Sequence, residues 1–298
     1  MENNQMTIFQ ASILITLSGI LYGFLGYLGV NVMSENISVP NMLFWRFLLA
    51  GLWMALWVIK KHAKNNIFSQ IDKRTLFLTF ILGAVGYAGS SELYFVAIHY
   101  TGTGLAMVIF FTYPIMIAIL SWLFYRQPLS ITTIVTFIMM TIGLFFLSDS
   151  LTHPLSILGI CLALIGAVCY ALYLFGSKRF SSAKVDSNVL TMMVCFSCAF
   201  IFISILLFTH QFILPNTMRA WLYLIALGIL ATALPIQLML EGLKYVSSMR
   251  ASLISVLEPL VTIIVGITLL GESISQIQII GVIIVLSSTI IVQFQKEL

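Results

Sequence analysis

Charge is what this chain has least of. Asp, Glu, Lys and Arg together make up 8% of its 298 residues, where a soluble globular chain carries about a quarter. With 60% hydrophobic residues, that scarcity excludes an ordinary soluble fold and predicts an all-α chain that crosses the bilayer repeatedly. The formal excess of four positive charges is dispersed over short loops and forms no continuous basic patch, so nucleic acid is excluded as a partner. A GxxxxGK[ST] run is also lacking, which disfavours ATP-driven work within this chain. His62, His99, His153 and His210 stand in or near loops without HxxxH or HExxH spacing. They offer neither a metal site nor the clustered bases that a membrane-embedded enzyme would need. Cys161, Cys169, Cys195 and Cys198 fall in apolar segments with no His or carboxylate at ligand spacing, and read as small core residues. No cofactor motif is present, and the chain reads as a non-enzyme.

What is there is a succession of apolar runs. Ten candidate spans cover about 8–33, 40–59, 75–98, 102–124, 130–148, 154–177, 187–209, 218–243, 247–270 and 274–293. The first is too long for a cleavable signal peptide and is expected to stay. Pro40, Pro128, Pro154 and Pro215 stand at or just before span starts, where a missing N–H costs nothing. Pro114, Pro235 and Pro259 are internal. If the N-terminus is cytoplasmic, the inner loops and tail hold twelve basic residues: Lys60, Lys61, Lys64, Lys73, Arg74, Arg126, Lys178, Arg179, Lys184, Lys244, Arg250 and Lys296. The outside holds Arg219, and Arg46 falls within a span. That asymmetry predicts cytoplasmic termini.

The stretch from Arg250 to Glu272 carries Glu258 directly before Pro259 at the middle of an apolar run. A carboxylate at mid-depth costs roughly 2.5 kcal/mol or more and marks a pathway or a site inside a bundle. The proline removes a backbone donor, so the helix is expected to break beside the acid. Packing alone, with a protonated glutamate bonded to a neighbouring helix, is the other reading of Glu258. A weaker copy lies 145 residues earlier, with Pro114 on Pro259 and Tyr113 on Glu258. The first spans of the two halves match as well, around Tyr22 and Tyr170. Five spans per half is an odd number, so the second copy enters the membrane in the opposite sense. The expectation is two inverted five-helix repeats, residues 1–148 and 149–298, with a site near the midplane between them. Tyr22, Glu92, Tyr113, Tyr170, Gln237 and Glu258 are expected to border one cavity, with helix breaks at Pro114 and Pro259. Gln237 joins this set because it aligns with Glu92. Arg46 reads either as snorkelling to the outer interface or as the ion-pair partner of Glu92. Glu241 and Lys244, three apart, read as an interfacial pair.

The motifs resemble those of the drug/metabolite transporter superfamily, in particular the bacterial EamA-type proteins. The resemblance is carried by Arg46-Phe47-Leu48-Leu49-Ala50, Ala97-Ile98-His99-Tyr100-Thr101, Tyr113-Pro114, Glu258-Pro259-Leu260 and Leu270-Gly271-Glu272. Arg126-Gln127 replaces the family's Gly-Glu in the first half. The resemblance implies ten transmembrane helices in two EamA-like repeats around a central cavity. It also implies a lipid-embedded secondary transporter in the bacterial inner membrane, and a small-molecule substrate such as an amino acid, another metabolite or a drug. Many relatives export. Few fixed charges favour small zwitterionic or neutral cargo over polyphosphates. A passive channel, a scaffold or a membrane-embedded enzyme is the competing class.

Overall fold

Every regular element among the described residues is helical, as it must be where the surroundings offer no water to unpaired backbone groups. The computed structural model of the chain describes residues 6–61, 72–126, 130–147, 156–182, 185–271 and 275–294. His62, Lys64, Gln127, Pro128, His153, Pro154, Lys184, Glu272 and Lys296, singled out above, lie outside the described residues. Among the described residues, eight helices are long and apolar enough to cross a bilayer: α1 (Ile8–Met33), α2 (Val39–Lys61), α3 (Lys73–Thr101), α4 (Leu105–Tyr125), α6 (Ile157–Phe180), α7 (Ser187–Phe208), α8 (Met218–Gly242) and α9 (Ser248–Leu269). Two shorter apolar helices, α5 (Ile131–Phe146) and α10 (Gln276–Ser288), stand where the fifth and tenth spans were expected. The chain is a polytopic helical membrane protein.

Helices of the first half pack chiefly on helices of the second. The Ile8–Tyr22 part of α1 lies on the Leu234–Gly242 part of α8, α2 on α7, α3 on α6, and α5 on α10. Helical backbone continues from Ala88 to Phe110, yet the rings of Tyr94 and Phe110 lie 4.8 Å apart. A straight helix would separate them by about 24 Å, so the axis bends sharply between them. Glycines set the closest approach of α3 to α6: a Cβ on Gly86 would lie 2.9 Å from the Tyr173 Cβ and 3.3 Å from the Tyr173 Cα. That contact presses Tyr170 and Tyr173 of α6 against Tyr87 of α3, with ring centroids 6.0 and 4.8 Å away.

Among the described residues two helices carry a π-helical turn, Leu82–Tyr87 in α3 and Ile229–Ala233 in α8. Such turns insert an extra residue, re-aim the side chains beside them and recur at functional positions. Polar contacts tie the two ends of the bundle. At one end the Arg219 side chain lies 3.6 Å from the Glu35 carboxylate, to which Thr217 also donates at 2.7 Å. At the other, Glu241 accepts from Lys244 at 2.7 Å, as its spacing predicts, and from the Ser187 hydroxyl. There too, Lys178 donates to the Leu243 carbonyl at 2.6 Å, where a cation complements a helix C-terminus.

Candidate functional site

Three helices break at the same place in the bundle. In α1, Gly23 and Phe24 separate Ile8–Tyr22 from Leu25–Met33. A Cβ on Gly23 would meet the Val261 side chain at 2.5 Å, so only glycine lets α1 pass α9 so closely there. In α4 the break at Phe111 and Thr112 is followed by Tyr113–Tyr125 with Pro114 in its first turn. In α9 the break at Val256 and Leu257 is followed by Glu258–Leu270 with Pro259 in its first turn. A proline is accommodated in a first turn, where no helical partner awaits its missing N–H, and it disfavours continuation from the preceding turn. The restarts at Tyr113 and Glu258 stand 145 residues apart.

Between these breaks is a cavity with about 70 Å³ open to the centres of water molecules, room for several waters. From α1 it is lined by Tyr22 and Leu25, from α2 by Arg46, and from α6 and α9 by Tyr170 and Glu258. The α4 wall is Phe110, Phe111 and Tyr113, and the α3 wall is the face Tyr87, Ser90, Ser91, Tyr94 and Phe95. The Tyr22 and Tyr87 hydroxyls share a hydrogen bond of 2.8 Å. Tyr113 stands edge-on to Tyr170 at 4.7 Å and donates to the Ser252 carbonyl at 3.4 Å. The hydroxyls of Tyr22, Tyr87 and Tyr113 thus find partners on an otherwise largely aromatic lining.

Arg46 and Glu258 are the charged side chains on this lining. Arg46 is 2% exposed, and its Nε donates to the Thr232 hydroxyl at 2.6 Å. Thr232 donates in turn to the Leu227 carbonyl at 2.8 Å, five residues back across the π-helical turn. Because guanidinium only donates, the threonine must accept from it, and its own proton is committed to Leu227. The π turn therefore supplies the hydroxyl that aims Arg46. Among the described residues Arg46 and Glu258 form no ion pair with each other or with any other side chain. Thr232→Val keeps the shape and deletes this acceptor. It is expected to weaken cargo affinity at least about tenfold, the low end for one hydrogen bond to a charged group, and to lower the melting temperature by a few degrees because a shielded guanidinium N–H loses its acceptor. Concentration-dependent uptake by the purified variant checks it, and unaltered affinity would remove Thr232 from the account.

Of the residues expected at one cavity, Tyr22, Tyr113, Tyr170 and Glu258 meet on it. Glu92 and Gln237 do not line it. The lining positions 87, 90, 91, 94 and 95 of α3 define one face at helical spacing. Glu92 sits 100° further round than Ser91, on the side that bears the exposed Val85 and His99. One of its carboxylate oxygens is shielded and without a hydrogen bond. Gln237 belongs to the part of α8 that packs on α1, half-buried away from the cavity. Both readings of Arg46 are overturned: it neither snorkels outward nor pairs with Glu92, because Thr232 draws it inward. The residues that were overlooked, Tyr87, Ser90, Ser91 and Tyr94, carried a usable signal in their polar and aromatic repeat at i, i+3, i+4 and i+7.

The sequence matches the model of the EamA-like transporter family over residues 9–149 and 157–294. It is 35% identical over 80 residues to an uncharacterized transporter of Archaeoglobus fulgidus, a match that spans 27% of this chain and 30% of that protein. Identity to an uncharacterized transporter of Synechocystis sp. is 26% over 275 residues, 84% of this chain and 79% of the relative. The threonine/homoserine exporter RhtA of Escherichia coli strain K12 is 25% identical over 229 residues, covering 74% of this chain and 73% of its own. A crystal structure only 15% identical superposes with a TM-score of 0.81 over 95% of this chain and 98% of the other, a likeness of fold.

Proposed function

Because the chain belongs to the EamA-like transporter family, we propose that it is a secondary transporter that carries small amino acids or related zwitterionic or neutral metabolites out of the cell by alternating access. It works in the bacterial inner membrane as two inverted five-helix repeats, residues 1–148 and 149–298, with cargo held in the cavity at the helix breaks. The observation that carries this reading is the arrangement of Arg46 and Glu258, two opposite charges on one aromatic cavity where three helices are interrupted. Interrupted helices expose backbone groups to cargo, and in transporters this is tolerated where the backbone lines a cavity. The similarity to a threonine/homoserine exporter supports amino acids as the cargo class. Tyr22, Tyr113, Tyr170 and Glu258 are the proposed cargo-facing residues, and Pro114 and Pro259 hold the breaks open.

Purified protein in liposomes loaded with unlabelled L-threonine is expected to accumulate external labelled L-threonine transiently above equilibrium. Saturable counterflow marks a carrier. Electrical conductance without counterflow would mark a channel, and chemical conversion of the solute an enzyme, and either would end the carrier reading. The orientation has its own test. The reading with both termini and the 60–74 loop in the cytoplasm is supported by twelve basic residues on one side against one on the other. Reporter fusions at either end should be active only as cytoplasmic fusions. An outward terminus would overturn the orientation and the inverted repeat together.

A further inference from the structure

We infer that the cavity holds its cargo by both ends of a zwitterion, the carboxylate on Arg46 and the ammonium on Glu258, with the apolar body of the cargo against Phe95, Phe110 and Phe111. This rests on the transporter reading of the same cavity and adds the orientation and the charge requirement of the cargo.

The argument starts from what Arg46 does with its donors. A guanidinium has five, and among the described residues only the one on Nε is taken up, by Thr232, while the Phe47 ring lies 4.9 Å from the guanidinium carbon. Arg46 is almost wholly shielded by protein and yet lines the cavity, so the cavity is where its unused N–H groups can meet a ligand. A shielded cation with unused donors is costly unless an anion completes it. Glu258 is the obvious anion, yet the two side chains form no ion pair. Arg46 is held back by its bond to Thr232, and Glu258 is fixed at the first residue of Glu258–Leu270. The protein thus keeps opposite charges on one small cavity without letting them close on each other.

A ligand with both charges resolves this. A carboxylate fits the planar guanidinium fork with two parallel hydrogen bonds. An ammonium at Glu258 would share the cavity with Tyr113 and Tyr170, which stand edge-on at 4.7 Å and whose rings can favour a cation. A simple anion would meet the Glu258 carboxylate, and a simple cation would meet Arg46. The rest of the wall is aromatic, so the cargo side chain it suits is apolar or small.

The test uses binding and transport as separate readouts. The standard L-amino acids are screened against the detergent-purified protein by thermal shift. Each binder is then compared with its amino alcohol, which lacks the carboxylate, and its 2-hydroxy acid, which lacks the ammonium. Wild type should bind the amino acid at least about tenfold tighter than either analogue, the worth of one charge-assisted contact. Arg46→Gln should lose that advantage over the amino alcohol while binding the amino alcohol as wild type does. Glu258→Gln should do the same for the hydroxy acid, and Arg46→Lys should recover part of the loss. Apo melting temperatures separate these effects from misfolding, and a variant that does not fold is replaced by the wild-type analogue comparison alone. The inference fails if no amino acid binds, if either analogue binds as tightly as the amino acid, or if the folded variants weaken all three ligands equally. Tight, charge-selective binding without counterflow would instead sink the transporter reading and leave the zwitterion site standing.

Discussion

Glu258→Gln is expected to reduce transport at least about tenfold while the protein still folds. The carboxylate makes no hydrogen bond or ion pair among the described residues, and its residue's bond to the rest of α9 runs through the backbone, where Thr262 donates to the Glu258 carbonyl at 3.1 Å. Glutamine keeps the volume and the polarity of the site and deletes only the charge. If the charge meets cargo, the loss is that of a charge-assisted contact, about 1.5–3 kcal/mol or 10- to 100-fold. If the acid exchanges a proton with each turnover, glutamine cannot replace it at any pH. In both cases the apo melting temperature should stay close to that of wild type. A variant that melts early and transports poorly would show instead that Glu258 serves packing, and wild-type transport across a pH series would remove it from the mechanism.

The second large effect is on stability. Gly86→Leu places a branched side chain where even a Cβ would sit 2.9 Å from that of Tyr173 and 3.3 Å from the Cys169 carbonyl oxygen and the Tyr173 Cα. Two of these neighbours are backbone and cannot turn aside, so α3 and α6 must separate. Overpacking of a tight core commonly costs about 1–3 kcal/mol, and the upper end applies where backbone is the obstacle. The displacement would also pull Tyr87 from Tyr22 and loosen the cavity wall. Thermal unfolding followed by size-exclusion chromatography should show a melting temperature lower by several degrees, about 2–4 °C per kcal/mol for a chain this large or somewhat less. Gly89→Leu is the control on the same helix: a Cβ there meets only the Cys169 sulphur at 3.8 Å. Equal melting temperatures for Gly86→Leu and wild type would mean that the α3 and α6 contact is not tight.

Glu258 and Pro259 were legible in the sequence because each is costly in a long apolar run, and together they announce a break. The 145-residue echo at Tyr113 and Pro114 was legible for the same reason. The rotation of helices about their own axes was not. Glu92 has the right depth, but depth says nothing about azimuth, and its neighbour Ser91 faces the cavity while Glu92 turns away. The direction of Arg46 is not legible within α2, because its Nε donates to Thr232, 186 residues away. The π-helical turns have no sequence code of their own. They fall where Gly83 and Gly86, or Ala231, Ala233 and Pro235, stand in or beside the turn, with Gly83 and Gly86 against close neighbours. They matter because Tyr87 and Thr232, the residues that form the tyrosine rim and hold Arg46, stand on them.

The central claim is that cargo passes through the cavity at the broken helices, and one lining residue tests it directly. Ser91 lines the cavity and among the described residues its hydroxyl makes no hydrogen bond to another helix, so Ser91→Cys in a background lacking Cys161, Cys169, Cys195 and Cys198 should transport. Treatment of that variant in liposomes with a small hydrophilic thiol reagent should abolish L-threonine counterflow, and saturating L-threonine during the treatment should preserve it. The cysteine-free parent should be indifferent to the reagent. Counterflow that survives complete modification of Cys at position 91 would place the pathway elsewhere and contradict the account.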